Sequence, residues 1–355
     1  SRFDIEFGLR NGTTYNAFLV RGERTALIDT SHAKFRDTWI PLLKEQIEPT
    51  AIDVLIVSHT EPDHSGLIGD LIDLNPDIEI VGSKVALQFL QDQVHRPFKS
   101  RAVKSGEELD LGTNPESGIQ HRFEFLSAPN LHWPDTIFSF DHGTGILYTC
   151  DAFGLHYCSD DVFDSDPGAI APDFRFYYDC LMGPNARSVL QALKRMGGLP
   201  EINTIAVGHG PLLRHHLSHW VNDYREWSGQ RSKGESYAAV CYLSQYGFSD
   251  RISQAIAHGI GKAEAQVQLV DLRATDPQEL TALIGDAKAV VVPTWPAEPD
   301  GELQASIGTL LAALHPKQLV GVFDAFGGND EPIDAVADQL RSQGCLLYTS
   351  DAADD

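Results

Sequence analysis

Residues 57–66 read "VSHTEPDHSG" and close the apolar run "IDVLIV" at 52–57. Two histidines and two carboxylates (His59, Glu61, Asp63 and His64) fall within six positions at the end of a strand-like segment. Side chains of this kind, crowded so closely, are held together by something positive, and a metal ion supplies the largest local charge. The stretch reads as half of a metal site.

Working outward, the same pattern recurs along the first two thirds of the chain. "RTALIDT" ends near Asp29, "HRFEFLSAPNLHWPDT" runs from an alternating strand into a loop with His132, "GILYTCDAFG" brings Asp151, and "NTIAVGHGP" brings His209. Strand ends from distant parts of the sequence each deliver a ligand-type side chain, which is how layered α/β folds build sites on loops at one edge of a rigid sheet. His59, Glu61, Asp63, His64, His132, Asp151 and His209 are too many ligands for one zinc. They suit two metals about 3.5–4 Å apart that share a carboxylate.

Composition sets the outer limits. The 355 residues exceed a usual single core, so two domains are expected. Fifty acidic against 27 basic residues give a net charge of -23, which argues against nucleic-acid binding. The five cysteines (Cys150, Cys158, Cys180, Cys241, Cys345) show no C-x-x-C spacing and suit a reducing, cytoplasmic setting. No run reaches the roughly 18 apolar residues of a membrane helix, and both ends of the chain read as cuts.

The texture changes at "YREWSGQRSKGES" (224–236), and four strands alternating with helices follow: "YAAVCYLS", "AQVQLVDL", "AKAVVVPT" and "QLVGVF". Strict alternation means a doubly wound parallel sheet. The expected division is a first domain at 1–228, a linker at 229–236, a second domain at 237–344 and a non-native tail at 345–355. With only four strands the second sheet is expected to be incomplete and to leave an edge open.

H-x-E-x-D-H followed by a distant H, D and H resembles the metallo-β-lactamase fold in its flavodiiron version, and "LHWPDT", "DAFG" and "GHGP" match that family's local phrases. The resemblance implies a metallo-β-lactamase-like αββα sandwich followed by a flavodoxin-like doubly wound sheet. It implies two irons: one held by His59, Glu61 and His132, the other by Asp63, His64 and His209, with Asp151 bridging. Hydrolases of the fold carry H-x-H-x-D-H and bind zinc. A carboxylate at Glu61 makes the pocket harder and favours iron. Asp29 and Asp135 are expected to orient imidazoles or shape turns, and Trp133 to pack beneath the site. His95, His142, His156, His215, His216 and His219 match no ligand position and are expected on the surface or in packing.

A helix opening at "SQYGFSDR" (244–251) offers a phosphate cradle. The resemblance implies FMN there, with Ser244, Tyr246, Gly247 and Ser249 on its phosphate. Pro293, Thr294, Trp295 and Pro296, with Ala325, Phe326, Gly327 and Gly328, would flank its isoalloxazine. The wording of these loops is similar to the cyanobacterial and photosynthetic branch. The implied activity is reduction of dioxygen to water, with electrons arriving through FMN. The alternatives are nitric oxide reduction at the same site, a zinc hydrolase of the parent fold, and a non-catalytic dimer partner. Implied partners are a second chain, in a head-to-tail homodimer or a heterodimer with a paralogue, and an electron donor. That donor would act through a missing C-terminal reductase domain or as a separate protein.

Overall fold

A computed structural model of the chain describes residues 10–232 and 236–243 throughout, and 252–348 apart from 254, 258, 261, 262, 264, 274, 276, 297, 317 and 324–332. The chain divides into two compact units at Lys233/Gly234.

The first unit holds two five-stranded sheets. One has strands β1 (Phe18–Arg21), β2 (Thr25–Ile28), β3 (Val54–Val57), β4 (Glu79–Gly82) and β5 (Lys99–Ala102) side by side in that order. The other runs β10 (Thr204–Val207), β9 (Ile146–Cys150), β8 (Ile137–Asp141), β7 (Gln120–Ser127) and β6 (Glu108–Thr113). Alternation along the strands sorts the layers. Val54 and Ile56 of β3 meet Phe123 and Phe125 of β7 between the sheets. Leu55 and Val57 turn outward onto the helices α1 (Arg36–Gln46), α3 (Ile68–Leu74) and α4 (Lys84–Val94), where Leu43, Leu71 and Leu90 cover them. On the far side Ile205 and Val207 pack under α5 (Pro167–Tyr177), α6 (Ala186–Met196) and α7 (Leu217–Ser232). The layers are helix, sheet, sheet, helix, as the αββα expectation requires. Between β3 and α3, "PDHS" folds into a single helical turn, α2 (Pro62–Ser65), with Pro62 at its first position.

The second unit has one parallel sheet in the order β12 (Gln266–Asp271), β11 (Tyr237–Tyr242), β13 (Ala289–Pro293), β14 (Leu319–Phe323) and β15 (Leu346–Tyr348). It is accompanied by α8 (Pro277–Asp286), α9 (Gly301–Ala313) and α10 (Ile333–Ser342). This is the 2-1-3-4-5 order of a flavodoxin-like sheet, which reverses beside β11.

Two expectations are corrected. Residues 229–232, assigned to a linker, complete α7, which continues to Ser232. The helix buries only Trp220, Tyr224 and Ser228, one residue per turn, so its polar remainder resembles a linker in sequence. The sheet is not left at four strands either. Leu346–Tyr348, within the segment expected to be a non-native tail, pairs with β14 in parallel as the fifth. An apolar triplet suffices, because an edge strand needs pairing on one side alone.

Candidate metal centre

Every expected ligand emerges just past a strand end. His59 lies two residues beyond β3, whose four residues are all buried. Glu61 is the cap of α2, and Asp63 and His64 sit inside that turn. His132 lies between β7 and β8, Asp151 directly follows β9, and His209 lies two residues past β10. Asp29 and Cys150, at the ends of β2 and β9, adopt left-handed φ values of 57° and 54°. Such backbone is costly for non-glycine residues and collects at functional sites.

The side chains converge as two groups. His59, Glu61, His132 and Asp151 form one, and Asp63, His64 and His209 the other. Asp151 stands between them with its two oxygens divided. Its Oδ1 lies 3.0 Å from His64 Nε2 and 3.3 Å from His209 Nε2, while Oδ2 lies 3.2 Å from His132 Nε2 and 3.4 Å from His59 Nε2. Glu61 Oε2 closes the first group at 2.9 Å from His132 Nε2 and 3.3 Å from His59 Nε2. Asp63 Oδ2 closes the second at 3.2 Å from His209 Nε2. Ligands about 2.0–2.2 Å from one ion stand roughly 3.0–3.4 Å from each other, and these separations fall mostly in that range. The buried Asp63 Oδ1 has no hydrogen-bond partner, which an oxygen awaiting a cation explains. Four imidazoles with three carboxylates are a mixed N/O donor set suited to iron. The residues fit a two-metal site.

Electrostatics of the metal-free cluster agree. Burial works against a charged His59, yet Asp135, Glu61 and Asp151 outweigh it and hold the imidazole well above its ordinary range. His132, likewise buried, is raised to about 9 by hydrogen bonds to Asp151 and Glu61 and by the Asp151 charge. Burial pushes the Asp151 carboxyl up, but the surrounding histidines hold it well below the usual range. The buried carboxylates thus favour positive charge at the centre of the cluster.

Supporting contacts fix the ligand orientations. Asp135, fully buried, accepts hydrogen bonds from His59 Nδ1 (3.1 Å), Thr60 N (2.7 Å) and Thr60 Oγ1 (2.5 Å). It plays the orienting part expected of it and leaves His59 Nε2 bare toward the site. Asp29 does not touch an imidazole. It accepts from Ser58 N at 2.8 Å and so holds the loop at the end of β3. Trp133 packs edge-on to His59 at 5.0 Å between ring centroids.

Three contributors stand outside the expected ligand set. The backbone carbonyl of Thr14 accepts from His209 Nδ1 at 2.6 Å. The hydroxyl of Tyr177, from the end of α5, donates to Asp151 Oδ1 at 3.1 Å. His156 is half-buried, with its ring 5.2 Å from that of His209 and 5.0 Å from that of Tyr177. A histidine five residues after Asp151 in "DAFGLH" was the one available hint. The other unmatched histidines stay away from the centre: His95 ends α4, His142 pairs with Glu124, His215 and His216 bond Asp164 through their backbone, and His219 lies near Asp223.

In the second unit, Pro293 ends β13, Thr294 is fully buried, Trp295 belongs to the core and Pro296 is partly exposed. Ser244, Tyr246, Gly247, Ser249, Ala325, Phe326, Gly327 and Gly328 lie outside the described residues. Pro293 to Pro296 follow a strand next to the point where the strand order reverses, the position at which such sheets bind ligands.

The model of the ODP family of β-lactamases matches residues 13–210. The chain is 54% identical over 343 residues to diflavin flavoprotein A 1 of Synechocystis sp., an alignment covering 97% of this chain and 59% of that protein. It thus spans less than two thirds of the length of the curated relatives it matches. Among solved structures, the metal-soaked Flv1 flavodiiron core from Synechocystis sp. is similar with a TM-score of 0.64 and 30% identity, covering 98% of this chain and 85% of that one. Rubredoxin oxygen:oxidoreductase from Desulfovibrio gigas shares the fold at 23% identity and a TM-score of 0.60, covering 98% and 87%.

Proposed function

The chain is a flavodiiron protein of the cyanobacterial branch, a member of the ODP β-lactamase family, and on that premise we propose that it reduces dioxygen to water at a diiron site fed through FMN. Diiron and FMN are the family's cofactors. The observation that carries the reading is the division of Asp151, each of whose oxygens faces a separate group of histidines. The ligands proposed are His59, Glu61 and His132 for one iron, Asp63, His64 and His209 for the other, and Asp151 for both.

Iron held by these two groups would supply the final electrons and a Lewis-acidic face for the substrate. The chain's own residues do the rest. Asp135 and the Thr14 carbonyl each take the Nδ1 proton of a ligand histidine, so that Nε2 presents a lone pair. Tyr177 donates to Asp151 and steadies the shared carboxylate. Trp133 on one side and Tyr15 on the other, with its ring 5.3 Å from His209, wall the ligands with aromatic surface.

We further propose, from the family resemblance, a head-to-tail pairing with a second chain whose FMN serves these irons, and an electron donor outside this chain. Among the described residues no helix is long and apolar enough to cross a membrane. The five cysteines are all unpaired, which supports a cytoplasmic setting. The test is turnover of anaerobically reduced protein against oxygen and, separately, nitric oxide. Four electrons consumed per oxygen, without hydrogen peroxide accumulating and faster than nitric oxide loss, is the expected result. Faster nitric oxide consumption would replace the proposed substrate.

A further inference from the structure

The two imidazoles with identified Nδ1 partners are supported very differently. His59 leans on Asp135, a buried carboxylate anchored by Thr60. His209 leans on the carbonyl of Thr14, which belongs to no helix or strand. A carbonyl on irregular backbone orients a ligand only if something holds that backbone still.

Three side chains do so. Asn16 Nδ2 donates to the carbonyls of Val207 and Gly210, at 2.9 Å each, and Thr14 Oγ1 accepts from Gly210 N at 2.8 Å. The third tie lies on the N-terminal side of the carbonyl. Thr13 Oγ1 donates to the Thr14 carbonyl at 3.2 Å and stands 2.9 Å from His156 Nδ1. With the hydroxyl proton committed to the carbonyl, His156 Nδ1 is the donor to Thr13. The ring of His156 is itself wedged between His209 and Tyr177.

We infer that Thr13 and His156 form a latch that fixes the Thr14 carbonyl beneath His209 and so sets the metal affinity of the Asp63–His64–His209 group independently of the other group. This inference rests on the two-metal reading above. Both are positioning residues, since neither reaches a metal position itself. The outer partners of ligating histidines are worth about 10- to 100-fold in metal affinity. The latch acts one bond further out, which places its effect near the lower end, about tenfold.

The experiment is anaerobic titration of the metal-free chain with cobalt(II), following the d–d bands and resolving the two binding steps. The proteins are wild type, Thr13→Val, Thr13→Ser, His156→Phe and the Thr13→Val/His156→Phe double variant. The valine and phenylalanine variants should each weaken one step about tenfold and leave the other unchanged. The double variant should lose no more than either single one, and Thr13→Ser, which keeps the hydroxyl, should match wild type. Equal weakening of both steps, additive losses, or a Thr13→Val titration identical to wild type would each overturn the latch. Failure of the wild-type protein to bind two ions would instead overturn the two-metal reading, so the two failures are distinct. Should His156→Phe fold poorly, the Thr13 pair decides the matter alone.

Discussion

Replacing Asp135 with asparagine tests whether the support beneath His59 does what its geometry implies. The carboxylate accepts three hydrogen bonds, one of them from the ligand imidazole. An asparagine oxygen can keep Thr60 N, but its NH2 group then faces His59 Nδ1. That donor forces Nδ1 to accept and moves the ring proton to Nε2, the atom that must be bare to bind metal. The variant thus favours the wrong tautomer and also removes a charge-assisted bond. Hydrogen bonds to charged groups contribute about 1.5–3 kcal/mol, and at about 1.4 kcal/mol per tenfold this is roughly a 10- to 100-fold loss of affinity. The same range is usual for outer partners of metal ligands. The assay is anaerobic iron(II) titration against a competing chelator. The loss should fall on the step filled by His59, Glu61 and His132, and the other step should change far less. Wild-type affinity in a folded Asp135→Asn protein would refute the reasoning, because the tautomer would then be set by something else.

Three further outcomes follow from particular contacts. The metal-free protein holds a proton on His132 up to about pH 9, so metal binding at neutral pH must release it. Affinity should rise with pH toward 9 and fall as pH drops, with proton release measurable in weakly buffered titrations. At Gly208, a Cβ would stand 2.7 Å from His64 Cε1 and 3.2 Å from the backbone carbon of Cys150. Gly208→Ala should therefore displace His64 and abolish tight binding at the second metal step, which metal content after gel filtration would report. Asp164, buried, takes hydrogen bonds from the backbone nitrogens of Arg214, His215 and His216 and from Trp220 Nε1. Asp164→Ala strands four donors at the start of α7 and should cost about 2–4 kcal/mol in urea unfolding, with Asp164→Asn losing less.

What the sequence made legible and what it hid follow from one physical difference. Metal ligands demand particular side chains, and β3, β7, β9 and β10 place them at strand ends, so "HTEPDH", "LHWPDT", "DAFG" and "GHGP" stand out as text. The support for His209 comes from a main-chain carbonyl that any residue at position 14 would supply, so it leaves no trace. Tyr177 sits in the aromatic-rich "DFRFYYD", where nothing separates the residue facing Asp151 from its neighbour Tyr178, which bonds Ser228 instead. His156 reads as a surface or packing residue in the sequence, and its tie to the site is hidden there because its neighbours His209 and Tyr177 arrive from other parts of the chain. The course of α7 was hidden by its narrow buried stripe, and β15 by its length of three residues.

The most direct test of the central claim is the metal and flavin content of protein purified anaerobically from iron-replete cells, with Mössbauer spectroscopy of the bound iron. The account predicts two irons per chain, in two distinct environments bridged by one carboxylate. One zinc per chain, or no stoichiometric metal at all, would contradict it.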